Sequence, residues 1–256
     1  MPNDFFQFRQ FTIQQNKSAM KVCTDACLLG AFAAEEINKK ELLPGEKNGE
    51  NYSVLDIGTG TGLLSLMIAQ KTNCTIDAIE IDAHAAEQAI ENVALSPWVK
   101  RINVYHSSIQ EFKTLIESGS LTANSQYKYI ISNPPFFNNS LSSASNQKNL
   151  AKHTTALPYK ELASAINHLS SHNGYAYIML PPQEMLLFRE EMQQFEFYPN
   201  LILSIKQTEK HNYFRSIVVF SKTKALQIEQ QELTIKIHQT YSPEFVSLLK
   251  DYYLYL

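Results

Sequence analysis

Asn133, Pro134, Pro135 and Phe136 are the residues whose types and spacing most directly suggest chemistry. They follow the apolar run 128–131, and two prolines can neither extend a strand ladder nor begin inside a helix. The Asn133 side-chain oxygen and the Pro134 carbonyl could accept both N–H protons of an amine whose lone pair is delocalised, with Pro135 fixing the loop. Pre-organised acceptors orient such a nitrogen for attack. Phe136 offers a face for a planar base, and stacking of this kind contributes about 1–3 kcal/mol. The alternative is a proline turn that only ends a strand.

A glycine-rich turn precedes this motif in the chain. Residues 54–57 predict a strand that runs into Gly58, Gly60 and Gly62, and a helix is expected to begin near Leu63. Bare main chain and free helical N–H groups at such a turn favour a nucleotide-like ligand. Glu80 ends the next predicted strand, 20 residues after Gly60. A carboxylate there can accept hydrogen bonds from both ribose hydroxyls.

Asp56 decides between two cofactors that fit such a turn. A dinucleotide of a dehydrogenase brings a pyrophosphate, which an acid directly before the glycines would repel. S-adenosylmethionine (SAM) brings an ammonium and a sulfonium, for which a carboxylate is favourable, so SAM is the expected cofactor. Ser108 follows the third predicted strand, where SAM-binding sheets commonly place an acid for the adenine amino group. It is either an adenine contact or the N-cap of the next helix.

These residues require an α/β framework to position them. Strands are predicted at 53–57, 75–80, 102–106, 127–131 and 175–180, alternating with helices at 63–71, 83–95, 109–117, 159–170 and 183–194. Five such alternations predict a Rossmann-like, mostly parallel seven-stranded sheet that is covered on both faces, with ligands at the carboxyl ends of its strands. Residues 201–206 and 214–222 predict an antiparallel hairpin at one sheet edge. An amphipathic helix is expected from Thr24 to Asn38, with a linker over 39–52.

One domain is expected, with an N-terminal extension and cofactor-side helix (1–52), a core (53–224) and a C-terminal extension (225–256). The chain has 256 residues, a formal charge of −3 and 44% hydrophobic residues. No global positive field would attract a polyanion, so contact with nucleic acid requires local patches. Three unpaired cysteines and the lack of a leader predict the cytoplasm. No membrane segment and no metal site are expected.

The residues 53–180 resemble the class I SAM-dependent amino-methyltransferases that carry an NPP-aromatic motif. The resemblance implies transfer of a methyl group from SAM to a planar nitrogen. It does not choose the acceptor, because the motif is shared by adenine N6 methyltransferases of DNA, rRNA and tRNA and by glutamine N5 methyltransferases of release factors.

The N-terminal block narrows the resemblance. Residues 11–15, 19–25 and 28–31, together with 151–155, are similar to the bacterial tRNA1(Val) adenine N6-methyltransferase family. That likeness implies methylation of adenosine 37, next to the anticodon, and places Lys21, Thr24 and Asp25 on the methionine side of SAM. The chain departs from the family pattern at Cys23, Cys27 and Ser108.

An RNA partner is expected from two basic stretches. Residues 133–160 contain no Asp or Glu but include Lys148, Lys152 and the neighbouring His153. Residues 206–224 carry five basic side chains, including Lys210 and Arg215, against one acid. Interleaved aromatic residues could stack on unpaired bases. We expect a monomer that contacts the anticodon arm of tRNA. The alternatives are glutamine methylation, a nucleotide-dependent oxidoreductase and an RNA-binding module without chemistry.

Overall fold

The computed structural model describes residues 3–42, 52–121, 123–135 and 158–256. Its strands are β1 (Phe5–Gln7), β2 (Thr12–Gln14), β3 (Ser53–Ile57), β4 (Thr75–Glu80), β5 (Ile102–His106), β6 (Tyr127–Ser132), β7 (Ser170–Leu180), β8 (Tyr198–Thr208), β9 (Tyr213–Ser221), β10 (Glu229–Ile237) and β11 (Thr240–Tyr241). Its helices are α1 (Thr24–Glu41), α2 (Leu63–Lys71), α3 (Ala83–Ala94), α4 (Ile109–Glu117), α5 (Tyr159–Leu169), α6 (Pro182–Gln194) and α7 (Pro243–Leu249). The alternation of strands and helices from β3 to α6 follows the predicted order.

The main sheet has the strand order β11-β10-β8-β9-β7-β6-β3-β4-β5. From β3 the chain moves outward through β4 and β5, and then returns to the other side of β3 to form β6 and β7. These five strands are parallel to one another, whereas β7 pairs with β9 in antiparallel orientation on its other side. The order therefore reverses between β3 and β6, and in such sheets ligands bind outside the carboxyl ends of the strands at that point.

Apolar clusters cover both faces of the sheet, as predicted. One joins β1, β2, α1, α2 and α7 to the sheet, and the other joins α4, α5 and α6 to the opposite face. The central strand β3 is buried along its whole length. Continuous burial of this kind is typical of a parallel strand with helices on both sides. The α/β Rossmann-like class is thus confirmed, and no helix in the described ranges combines the length and apolarity that a bilayer span requires.

The hairpin formed by β8 and β9 is antiparallel, as expected, but its predicted place at the sheet edge is wrong. The C-terminal strand β10 pairs in parallel with β8 on the outer side, and β11 pairs with β10. The sheet therefore has nine strands in the described ranges instead of seven. Residues 229–237 have many Glu and Gln side chains, so their alternation of buried and exposed positions was hard to recognise from the sequence.

The segment before α1 contains a small antiparallel sheet of β1 and β2, which the sequence analysis missed. The helix α1 itself extends to Glu41, beyond the predicted end at Asn38. Its C-terminal turn lies near the amino ends of the strands, because the Lys40 ammonium packs over the Tyr175 ring, 4.3 Å from its centre. The start of α1 therefore points toward the carboxyl edge of the sheet.

A buried amide on α3 ties β2 to the glycine turn. Asn92 is 1% exposed, and its side chain accepts a hydrogen bond from the Gln14 backbone N–H (2.8 Å) and donates to the Gln14 carbonyl (2.9 Å). The same Nδ2 donates to the Thr61 carbonyl at 2.8 Å. Nearby, Gln88 Oε1 accepts from the Lys17 N–H at 3.1 Å. These contacts hold the N-terminal segment against α3 and the glycine turn.

The substitution Asn92→Asp is expected to destabilise the protein by about 2–4 kcal/mol, because a buried carboxylate cannot donate to the two carbonyls that Asn92 now satisfies. Urea unfolding followed by circular dichroism measures this change. Asn73→Asp, on an exposed loop between α2 and β4, is the matched control and should change stability by less than about 0.5 kcal/mol. Equal, small effects of the two substitutions would contradict the role given to Asn92.

Candidate functional site

The glycine turn after β3 has a backbone that requires glycine. Gly58, Gly60 and Gly62 have φ angles of 73°, 58° and 84°, in the left-handed region that other residues rarely adopt. A Cβ on Gly58 or Gly60 would meet nothing within 4 Å, so open space lies against the bare main chain there. On Gly62 it would meet Ala89 of α3 at 3.5 Å. The first two glycines thus leave room for a ligand, and the third allows close packing of α3.

Glu80 lies at the end of β4, next to this turn. Its Oε2 accepts a hydrogen bond from the Gly60 N–H at 2.9 Å, and its Oε1 accepts from the Asp82 N–H at 2.9 Å. Both bonds fix the orientation of the carboxylate. Since each carboxylate oxygen can accept more than one hydrogen bond, Glu80 can still receive two hydroxyl groups of a ligand. The contact of Glu80 with a ribose stays a prediction.

Asp56 lies beneath the turn and is completely buried. Its Oδ2 accepts hydrogen bonds from the Thr59 hydroxyl (2.6 Å) and the Ser65 hydroxyl (2.7 Å). Its Oδ1 is buried and has no hydrogen-bond partner among the described residues. Burial raises the pKa of Asp56 to about 6, although the hydroxyl hydrogen bonds oppose this rise. The carboxylate is therefore ionised near neutral pH and leaves one oxygen uncompensated.

Asn133 follows the last residue of β6, and it lies directly across from the glycine turn. The register pairs Ser132 with Ile57, so Asn133 and Gly58 are the next residues on adjacent strands. The Ser132 hydroxyl donates to the Ile57 carbonyl at 2.9 Å. Asn133 is half-buried, Pro134 is buried and Pro135 is exposed, whereas Phe136 lies outside the described residues. The two predicted halves of the site thus lie side by side.

The N-terminal residues Lys21, Thr24 and Asp25 surround the start of α1. The Lys21 ammonium donates to the Gln15 carbonyl, and the Val22 N–H donates to Gln15 Oε1 at 2.8 Å. Thr24 is exposed at the first position of the helix. Asp25 forms an ion pair with Arg215 of β9, with Oδ2 2.8 Å from Nε. Two residues predicted for different partners are therefore in contact with each other.

Ser108 is the N-cap of α4. Its hydroxyl accepts from the Glu111 N–H at 3.2 Å, while Glu111 Oε2 accepts from the Ser108 N–H at 3.1 Å. This reciprocal pair is a capping box. Of the two roles considered for Ser108, the structure shows the N-cap. A contact with adenine stays a prediction.

The predicted RNA contacts are only partly within the described residues. Lys148, Lys152 and His153 lie outside them. Lys210 is exposed at the tip of the β8–β9 hairpin, beyond the carboxyl edge of the sheet. Beside it, Tyr213 is 39% exposed, whereas Phe214 is packed against the core. The tip therefore carries an exposed cation beyond the carboxyl edge of the sheet, whereas the Tyr213 ring packs under the Lys206 ammonium, 5.5 Å from its centre.

The basic stretch 206–224 does not form the single patch that its charge suggested. Lys222 and Lys224 follow β9 at the amino edge of the sheet, opposite the site, where they pack over the Phe197 and Tyr198 rings. At the other end, Lys206 pairs with Glu232 of β10 at 3.6 Å. The basic side chains of this stretch thus lie at opposite ends of the hairpin, and an acid from β10 pairs with one of them.

Two polar residues that position the site were missed in the sequence analysis. The predicted strand ends at Ile131 and does not include Ser132. A polar residue between an apolar run and Asn133 could have indicated a side chain that holds the end of the strand. Asn92 lies three residues after Ala89 on the buried face of α3, and a polar residue on such a face needs a partner. Nothing in the sequence indicated that its partners would be Gln14 and Thr61. In the described ranges, no group of three or more His, Cys, Asp or Glu side chains could hold a metal ion.

Comparison with known proteins gives the family. A family model for the methyltransferase small domain matches residues 26–158. A tRNA1(Val) (adenine(37)-N6)-methyltransferase from Flavobacterium johnsoniae is 39% identical over 251 residues, which are 97% of this chain and 99% of that protein. A protein with the same name from Dyadobacter fermentans is 38% identical, and the match covers 98% of this chain and 98% of that protein. Another from Trichodesmium erythraeum is 36% identical, and the match covers 99% of each chain. This chain belongs to that family.

Solved structures of other proteins have the same fold as this chain. A predicted O-methyltransferase from Agrobacterium tumefaciens superposes with a TM-score of 0.63 and 16% identity, covering 89% of this chain and 96% of that chain. The ribosomal protein L11 methylase of Lactobacillus delbrueckii gives a TM-score of 0.53 at 13% identity, covering 82% and 84%. The prediction of a SAM-dependent methyltransferase is confirmed by the family.

The residues at the carboxyl edge fit SAM as the donor. The open main chain at Gly58 and Gly60 provides space, and Glu80 provides acceptors for hydroxyl groups. The unpaired buried Oδ1 of Asp56 leaves negative charge close to the turn, which suits a ligand with two cationic groups and disfavours a pyrophosphate.

The raised pKa of Asp56 predicts a specific effect on stability. The folded state favours the protonated form of Asp56, and this preference adds to the free energy of unfolding. The added stability is fully present below the unfolded pKa of about 4 and is lost as the pH rises through about 6. A shift of about two units corresponds to roughly 3 kcal/mol. In Asp56→Asn this contribution should disappear.

Urea unfolding between pH 4 and 8 measures this effect as the difference between the natural chain and Asp56→Asn. From pH 4 to 6 the free energy of unfolding of the natural chain should fall relative to that of the variant. Above pH 6 the two curves of free energy against pH should run parallel. Parallel curves across the whole range would show that Asp56 titrates normally.

Proposed function

We propose that this chain transfers the methyl group of SAM to N6 of adenosine 37 in tRNA1(Val). The observation that carries the proposal is the alignment of Asn133 with Gly58 at the point where the strand order reverses. It brings an amine-orienting motif and a cofactor turn to one edge. The full-length relatives named for this reaction support the choice of acceptor.

The cofactor side would be formed by Gly58, Gly60, Asp56 and Glu80. SAM supplies an electrophilic methyl group on a sulfonium. The open glycine backbone would allow close contact with the ligand, and Glu80 would accept from the ribose hydroxyls in an orientation already fixed by Gly60 and Asp82. Asp56 would favour the positive charges from beneath the turn, without direct solvent competition because it is buried. Lys21, Thr24 and Asp25 would close the methionine side.

The acceptor side would be formed by Asn133 and Pro134. The lone pair of an adenine N6 amine is delocalised into the ring and is a weak nucleophile. Two acceptors that bind its two protons orient the amine and favour the geometry in which the lone pair points at the methyl group. The N–C bond would form as the sulfur–methyl bond breaks, and the sulfur would leave as a neutral thioether. The nitrogen proton becomes acidic only as the N–C bond forms and would be released to solvent, so no strong base is needed. Phe136 would stack on the base.

The RNA would approach from the carboxyl edge, since the hairpin tip with Lys210 and Tyr213 projects there. Lys148, Lys152 and His153 follow the motif in the chain and would add positive charge on the same side. An adenosine in an unpaired loop can leave its stack at low energy. We therefore propose that a monomer binds the anticodon arm, where adenosine 37 lies in the loop.

The test of the function is incubation with labelled SAM and total tRNA from a strain that lacks this protein. Nucleoside analysis by mass spectrometry should show N6-methyladenosine, and digestion should map it to position 37 of tRNA1(Val). Methylation of a different tRNA or position would correct the substrate. Absence of N6-methyladenosine, or activity only on a release factor, would reject the proposal.

Asn133→Ala should lower methyl transfer by more than about 100-fold, because the loss of one pre-organised polar contact commonly has an effect of this size on kcat. The affinity for SAM, measured by calorimetry, should stay within about threefold of the natural value. Asn73→Ala, on an exposed loop, is the matched control. Retained turnover in Asn133→Ala would contradict the mechanism.

A further inference from the structure

Arg215 is directed toward α1 by the geometry of β9. Ile217 and Val219 follow it at alternating positions and pack in the cluster that contains α1, so the three side chains share one face of the strand. The register between β8 and β9 shifts between Ile205 and Lys206, and it leaves Phe214 as an extra residue on β9. Such bulges re-aim neighbouring side chains.

Several contacts fix the guanidinium of Arg215. Its Nε lies 2.8 Å from Asp25 Oδ2, and the two side chains are only 19% and 21% exposed. Its Nη1 donates to the Phe214 carbonyl at 2.8 Å, and its Cζ lies 5.3 Å from the centre of the Phe214 ring. A guanidinium held in this way has little freedom to reach an RNA phosphate.

The ion pair is one of two attachments of the segment that leads into α1. On one side, Gln15 holds Lys21 and Val22, and Asn92 fixes the neighbouring Gln14 to α3. On the other side, Asp25 contacts Arg215 of β9. In the strand order, β3, β6 and β7 lie between β4, on which α3 packs, and β9. The segment 15–25 is therefore fixed at both ends across the strands that carry the glycine turn and Asn133.

We propose that Arg215 is a positioning residue for the cofactor side of the site, and that it does not act as a contact for RNA phosphate. Its ion pair with Asp25 holds the first turn of α1, with Lys21 and Thr24, in place over the methionine side of the donor. The inference rests on the proposed function for the identity of the donor and the RNA. It assigns one shared role to two residues that were predicted to act on different partners.

The test is a double-mutant cycle on SAM affinity, measured by calorimetry without RNA. Arg215→Gln and Asp25→Asn should each weaken SAM binding about fivefold, which is the upper end of what a partly exposed ion pair contributes. The double variant should bind no more weakly than either single variant, because both remove the same contact. Arg215→Lys keeps the charge and should restore part of the affinity. Lys224→Gln, which lies after the far end of β9, is the matched control.

A second readout separates positioning from RNA contact. In salt titrations of tRNA binding, each lost phosphate contact lowers the slope of log K against log salt by about 0.7–0.9. Lys210→Gln should lower the slope, whereas Arg215→Gln should leave it unchanged. A lowered slope in Arg215→Gln with natural SAM affinity would overturn the inference, as would additive effects of Arg215→Gln and Asp25→Asn on SAM binding.

The two proposals fail in different ways. If the natural chain binds no SAM or methylates no tRNA, the proposed function fails. If it binds SAM and methylates tRNA while Arg215→Gln binds SAM normally, only the positioning role fails. Thermal unfolding of each variant confirms that it is folded, and if Arg215→Gln does not fold, Arg215→Lys and Asp25→Asn still complete the comparison.

Discussion

The alignment of the ends of β3 and β6 is the constraint on which the site depends. Both strands are parallel and adjacent, and the Ser132 hydroxyl donates to the Ile57 carbonyl at the last pair of residues. Beyond that pair the chains separate, because one continues into the glycine turn and the other into Asn133 and the prolines. In sheets of this kind, ligands bind where the strand order reverses. Under the proposed function, a donor at the glycine turn and an acceptor at Asn133 would meet at this point.

Polar side chains in the core adapt this general fold to one reaction. Asn92 uses three hydrogen bonds to join the N-terminal segment to the glycine turn, and Asp56 places a buried charge beneath that turn. The Asn92 side chain is fully hydrogen-bonded, whereas Asp56 keeps one buried oxygen without a partner among the described residues, which costs stability. The N-terminal segment is attached to α3 at one end and to Arg215 of β9 at the other. Under the proposed positioning role of Arg215, the same contacts would connect cofactor binding to the hairpin.

The central elements could be predicted because their signals are local. Apolar runs, glycine positions and the distance from Gly60 to Glu80 depend only on neighbouring residues and on helix and strand periods. The predictions were wrong or incomplete where the structure depends on contacts between residues that are far apart in the chain. Residues 229–237 carry too many polar side chains to be recognised as a strand, yet they pair with β8 and move the hairpin into the sheet. Likewise, the sequence showed Asp25 and Arg215 as separate charges 190 residues apart, and only the folded chain brings the start of α1 and β9 into contact.

A crystal structure with S-adenosylhomocysteine and an anticodon stem-loop would show whether donor and acceptor meet at the carboxyl ends of β3 and β6. We expect the ribose at Glu80, the adenosyl group along Gly58 and Gly60, and the N6 amine within hydrogen-bonding distance of Asn133 and facing the sulfur. A cofactor bound away from the glycine turn, or a target base whose amine does not reach Asn133, would contradict this expectation.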